Sequence, residues 1–204
     1  SVNALDGAIH AVSAGIALTA GNAARAETLA RVATQLAPAL AAGWLNLALA
    51  LQRQPRRDAA DALAAARRAA ALDPQDATAA GLVAQLEAAS GDLRGARATI
   101  DAARARHPRH RGLLAQSASI ATRAHDLAAA IDGYQQLLAL HPDDGAALSQ
   151  LVFARKEAIA WHGLPALQSR FRAGVAARRP HLTPFSFLSD PSTRAEQRVC
   201  ATTW

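Results

Sequence analysis

A chain of 204 residues that is 51% hydrophobic but only 4% aromatic, with alanine and leucine dominating, suits helices packed through small side chains and excludes a barrel or a sandwich. The net charge of +6 comes almost wholly from arginine; the arginines are spread over many segments among acidic residues, with no basic helix and no aromatic RNA-binding motif. They read as solvated faces, so neither nucleic acid nor a membrane is an expected partner. The single cysteine, Cys200, excludes an internal disulfide framework and a cysteine zinc site. No apolar run is long enough to span a bilayer and no basic-then-apolar signal opens the chain, which makes the cytoplasm the expected compartment.

Residues 1–40 read as a degenerate first helix pair. Leu5, Ile9, Val12, Ile16 and Leu18 recur at helical spacing, Gly21-Asn22 makes the turn, and Ala26, Ala30, Ala33 and Pro38 belong to a second helix. Ser1 starts inside the helical pattern, so a longer chain on that side is expected. Residues 41–74 form a second pair with a connection two residues longer, Gln52-Arg53-Gln54-Pro55-Arg56-Arg57. Its arginines suit a solvated surface loop better than a phosphate site. Residues 75–108 and 109–142 are the most regular pairs, turning at Ser90-Gly91-Asp92 and His125-Asp126-Leu127. Gly91 tolerates positive φ there. His107 and His141 each precede a closing proline and serve as caps. They lie one repeat apart with no carboxylate–histidine spacing beside them, so no metal is expected. Residues 143–160 begin a fifth pair through Leu148, Leu151, Val152 and Phe153. A further helix follows, striped by Leu164, Leu167, Phe171 and Val175. Pro184 and Pro191 predict an extended apolar loop over Thr183–Asp190, and Thr193 with Glu196 forms a capping box opening a last helix. That helix is short where the chain ends, so a section of a longer protein is expected.

The pairs share one register. Pro38, Pro74, Pro108 and Pro142 recur at intervals of 36, 34 and 34 residues. Ala26, Ala62, Ala96 and Ala130 hold one position, and Ala30, Ala66, Ile100 and Tyr134 hold the position four residues later. With Trp44, Leu47, Ala48 and Leu51 spaced as W-x2-L-G-x2-Y, Ala standing for Gly and Leu for Tyr, residues 7–160 resemble a tetratricopeptide array. The resemblance implies an all-α fold: a right-handed superhelix, or α-solenoid, over residues 1–160, followed by an irregular helical cap or linker over 161–204.

The cap carries a second resemblance. Trp161, Leu164 and Leu167, then Pro184-Phe185-Ser186-Phe187-Leu188-Ser189, then Glu196-Gln197 are similar to the unit that follows the repeats in bacterial relatives of the O-linked N-acetylglucosamine transferases. That family often has Cys-Asp just before the tryptophan, where this chain has Ile159-Ala160. The resemblance implies the substrate-recruiting arm of a UDP-sugar-dependent protein glycosyltransferase, with the catalytic domain beyond Trp204. A free-standing tetratricopeptide adaptor, and the repeat module of another fused enzyme such as a sulfotransferase or methyltransferase, are the alternatives.

No catalytic residue is assigned. The sequence lacks a dinucleotide fingerprint, a P-loop and a G-x-S-x-G elbow, so no cofactor is expected and the chain by itself should be catalytically silent. The first helices of the pairs should line a concave groove. Its candidates are Asn46, Leu49, Gln52 and Arg53; Gln85; Gln116, Ser119 and Arg123; and Gln150, Phe153 and Lys156. Asn46, Gln116 and Gln150 share one repeat position, which Leu82 interrupts in the third repeat. Carboxamides both donate and accept, so these read either as a ladder for the backbone of an acceptor segment or as ordinary solvated polar residues.

Overall fold

The computed structural model describes residues 2–54 and 59–204. The remainder of the basic connection, Pro55, Arg56 and Arg57, lies outside the described residues, as does Ser1. Among the described residues there are twelve helices and no strand. They are α1 (Val2–Thr19), α2 (Ala23–Leu36), α3 (Ala41–Gln52), α4 (Ala59–Leu72), α5 (Ala77–Ala89), α6 (Leu93–Arg106), α7 (Arg111–Arg123), α8 (Leu127–Leu140), α9 (Gly145–Glu157), α10 (Leu164–Ala176), α11 (Pro184–Leu188) and α12 (Arg194–Thr203). The chain divides into two compact units, Ser1–His107 and Pro108–Trp204.

In the first unit α1–α2, α3–α4 and α5–α6 are packed pairs, and α2 with α3, and α4 with α5, pack between pairs. The contacts are made by alanine. Ala14, Ala26, Ala30, Ala48, Ala62, Ala66, Ala84 and Ala96 are fully buried, and Leu47, Leu51, Val83 and Leu86 fill the space around them. Trp44 Nε1 donates to the Pro38 carbonyl at 2.9 Å, tying α3 to the turn that precedes it. The tight turns take left-handed backbone at Gly21 (φ 76°) and Gly91 (φ 95°), where a Cβ would be disfavoured. Three helices of this unit, α2, α5 and α6, are capped by a side chain. Asn22 accepts from Arg25 N at 3.0 Å, Asp76 from Thr78 N at 2.7 Å, and Asp92 from Gly95 N at 2.8 Å.

The second unit repeats this plan and then closes it. Asp126 and Asp144 cap α8 and α9, and His141 is the C-cap residue of α8, as His107 is of α6 in the first unit. At the α7–α8 crossing a Cβ on Gly133 would stand 2.9 Å from the Ala118 Cβ, so only glycine permits that approach. Beyond α9 the pairing stops: α10 and α11 pack on α9, and α12 packs on α10 and α11. Phe171 and Phe187 stack at 5.5 Å with planes 12° apart, and Leu182 and Cys200 are buried beside them. Burial pushes the Cys200 thiol pKa up.

Two sequence expectations are corrected. The segment after Thr183 is not an extended loop: Pro184–Leu188 is a short helix. Pro184 occupies its first turn, where the missing N–H has no intrahelical partner to lose, and Thr183 is the extended residue before it. In α1 the stripe Leu5, Ile9, Val12 and Ile16 is helical as read, but it faces outward; Ala11, Ala14, Ala17 and Leu18 make the buried face. The capping box stands as read, with Thr193 Oγ1 accepting from Glu196 N and Glu196 Oε2 accepting from Thr193 N at 2.7 Å.

Ala96→Leu tests the pairing directly. Ala96 is fully buried where α6 meets α5. The larger side chain should overpack that contact and cost about 1–3 kcal/mol, lowering the thermal midpoint by about 2–4 °C per kcal/mol. Thermal melts followed by circular dichroism check it; an unchanged midpoint would place Ala96 away from the contact.

Candidate functional site

The site is built by two helices that are first members of their pairs. On α7, Arg111, Ala115, Ser119 and Arg123 recur every four residues and therefore share a face. On α9, Asp144 at the cap position, Ala147 and Gln150 face them across a cleft of about 390 Å³. Tyr134 and Leu137 of α8 lie at its base. The small side chains of Ala115, Ala146 and Ala147 keep the floor open, while hydroxyl, carboxamide and guanidinium groups line the rim.

Its electrostatics are set by Arg111, Asp144, Arg123 and Tyr134. Arg111 contacts the Asp144 carboxylate at 2.6 Å, and Asp144 also accepts from the Ala147 N–H at 2.9 Å, so the acid is fully engaged in capping α9 and holding the arginine. Arg123 is exposed at the far end of α7 and lines the cleft with Ser119. At the base, burial raises the Tyr134 phenol pKa, and its hydrogen bond to Thr122 only partly opposes that. The phenol is therefore neutral through the physiological range.

The structure thus brings Ser119, Arg123 and Gln150 of the sequence candidates around one cleft. It places the others differently. Asn46 Nδ2 donates to the Ala11 carbonyl at 2.8 Å, and Arg53 donates to the Leu18 carbonyl at 2.8 Å, so both reach back to α1. Leu49 is half-buried against the Ala17, Leu18, Ala26 and Ala50 cluster, and Gln52 is half-buried after it. Gln85 is exposed on α5. Gln116 is half-buried on α7, with its Oε1 enclosed and unpaired among the described residues. Phe153 packs against Phe185 of α11, ring centroids 6.4 Å apart and planes 48° apart. Lys156 Nζ donates to Asp190 and, at 2.7 Å, to Ser189 Oγ, which joins α9 to the segment after α11. Arg111, Thr122 and Tyr134 were absent from the candidates. The four-residue spacing from Arg111 to Arg123 was the available signal for Arg111; no spacing singles out Thr122, and Tyr134 reads from sequence only as a core plug.

With this geometry in view, the comparisons are informative about fold. No family model matches the chain, and no curated protein matches it. Solved structures do. The pilF protein of Pseudomonas aeruginosa superposes with a TM-score of 0.74 at 13% identity, covering 100% of this chain and 90% of that one. MamA from residue 41 onward, from Desulfovibrio magneticus RS-1, gives 0.70 at 13% identity, covering 81% and 92%. YrrB, described as a TPR protein with an unusual peptide-binding site, gives 0.62 at 9% identity, covering 78% and 81%. The chain is an all-α helix-pair solenoid of the tetratricopeptide kind. Among the described residues no group of metal-ligating side chains is assembled, and no helix is long and apolar enough to cross a membrane.

Lys156→Ala should act on stability. The Asp190 side chain is 4% exposed and that of Lys156 is 19% exposed, so removing the ammonium strands a buried carboxylate. Gln168 still donates to Asp190 at 2.7 Å, which holds the cost near the lower end of the range for broken buried pairs, about 3 kcal/mol. Urea unfolding of the single and of the Lys156→Ala/Asp190→Ala double variant checks this; the double variant should recover part of the loss.

Proposed function

We propose that the chain is a protein-interaction module that holds an extended, acidic or hydroxyl-rich segment of a partner protein in the cleft between α7 and α9. The observation that carries the reading is the convergence of Ser119, Arg123 and Gln150 on one open cleft over a floor of alanine. Gln150 offers both a donor and an acceptor to a peptide backbone, Ser119 adds a hydroxyl, and Arg123 favours carboxylates or hydroxyls on the segment. YrrB, of similar fold, carries a peptide-binding site in its description, which supports the use of such a scaffold for peptides.

The wider role divides in two. As a free-standing adaptor the chain needs only this cleft. As the recruiting arm of an O-linked N-acetylglucosamine transferase-like enzyme it needs a catalytic domain after the cap. In support of the second, the cap sequence resembles that family, and Trp161, Phe185 and Leu188 are exposed on it, an apolar set suited to meeting a following domain. Reading the coding sequence past Trp204 separates them: a two-lobed sugar-nucleotide domain supports the enzyme arm, and any other continuation supports the adaptor or another fusion.

The binding claim is tested with peptides selected from a random display library against the whole chain. Arg123→Ala/Gln150→Ala removes two contacts of about 0.5–1.5 kcal/mol each, so affinity by calorimetry should fall about tenfold. Circular dichroism should be unchanged, because both residues are exposed. Equal affinity for wild type and variant would remove the cleft from the account.

A further inference from the structure

The second unit holds another cleft, of about 530 Å³, which shares no residue with the one between α7 and α9. It lies between α10 and the turn that follows α11. Pro165, Ala173 and Phe187 give it apolar walls, and Gln168, Arg172 and Asp190 are polar groups on its lining. Its volume is that of a small-molecule site, and a mostly apolar wall with a few placed polar groups is the usual make-up of one.

The lining carboxylate is buried and only half used. The Asp190 side chain is 4% exposed. Lys156 Nζ and Gln168 Nε2, the latter at 2.7 Å, both donate to its Oδ1. Among the described residues no donor reaches Oδ2, and that oxygen is not sealed in the interior, so it faces the cleft that Asp190 lines. A carboxylate accepts at both oxygens, and leaving one without a donor in a desolvated place is unfavourable. The Gln168 Oε1 beside it also has no donor among the described residues. Two adjacent acceptors therefore await N–H groups.

Arg172 is the matching base. Its Nη2 donates to the carbonyl of Pro191, the residue next to Asp190, and its Nε lies 3.4 Å from Glu196 Oε1. Arg172 and Asp190 nevertheless form no ion pair with each other. An acid and a base that line one cleft without touching leave a gap, and its electrostatic complement carries both charges in the opposite order. Lys156 already compensates Asp190, and Glu196 compensates Arg172, so the site is neutral as a whole. A ligand with net charge would be desolvated there without a counter-charge, whereas a zwitterion meets both local fields.

We propose that this cleft binds a free amino acid with an apolar side chain. The ammonium donates to Asp190 Oδ2 and Gln168 Oε1, the carboxylate accepts from Arg172, and the side chain lies against Pro165, Ala173 and Phe187. The site is independent of the peptide reading of the α7–α9 cleft.

The test is calorimetry and ¹⁵N amide shifts on the whole chain, with L-leucine and L-phenylalanine as probes. Saturable one-to-one binding is expected, with shifts centred on Ser169, Ala173 and Asp190. N-Acetyl-L-leucine lacks the ammonium and L-leucinamide lacks the carboxylate; each should bind at least about tenfold more weakly than L-leucine, the scale of one lost charge-assisted hydrogen bond. Arg172→Gln should weaken L-leucine by a similar factor and leave L-leucinamide unchanged, a split that a general loss of structure would not produce. Ala173→Leu, at an exposed position of α10, should fill the cleft and abolish binding with the thermal midpoint unchanged. No saturable binding of either probe up to about 10 mM overturns the proposal. So do equal affinities for L-leucine and its two analogues, or binding that survives Ala173→Leu.

Discussion

The structure depends on how closely paired helices approach. At the crossing points the side chains are alanine or glycine: Ala26 in α2, Ala62 in α4, Ala96 in α6 and Ala130 in α8 have no exposure, and Gly133 leaves no room for a Cβ against Ala118. A buried alanine contributes little apolar area by itself, so no single contact dominates. Within each unit stability comes from repetition, neighbouring pairs resting on one another, and a misfit at one crossing is felt locally. The same closeness explains the low aromatic content. Apart from Trp44 on α3, large rings enter where pairing ends, as Phe171 on Phe187, or at the base of the cleft, as Tyr134.

Much of this was legible in the sequence because register is a property of spacing. Recurrent proline and alanine positions locate helix ends and crossings without any knowledge of neighbours. What spacing does not encode is which side of a terminal repeat is covered. The stripe of α1 has the period of a core helix, yet the alanines beside it are buried and the isoleucines are not, because α2 and α3 pack on the small-residue side. Pro184 misled for a related reason. Proline breaks a helix interior but is well suited to a first turn, and only the tertiary context of Phe187 decides between the two.

The polar candidates divide by the same logic. A repeat position predicts that Asn46, Gln116 and Gln150 point in corresponding directions, but each side chain meets a different neighbour. Asn46 and Arg53 donate to the Ala11 and Leu18 carbonyls of α1, and Lys156 finds Asp190 on the returning chain. Those bonds fasten the first helix and the cap. Ser119, Arg123 and Gln150 lie instead along an open cleft. Polar side chains on the first helices thus serve assembly in some repeats and line an open cleft in another.

The central claim is that this cleft is the peptide-binding surface. Backbone amide resonances followed during titration of the ¹⁵N-labelled chain with a selected peptide test it most directly. The account predicts that the largest shifts fall on α7 and α9, around Ala115, Ser119, Ala147 and Gln150, with α1 and α12 unmoved. Shifts centred on Trp161, Phe185 and Leu188, with α7 silent, would contradict it and give the cap the role assigned here to the cleft.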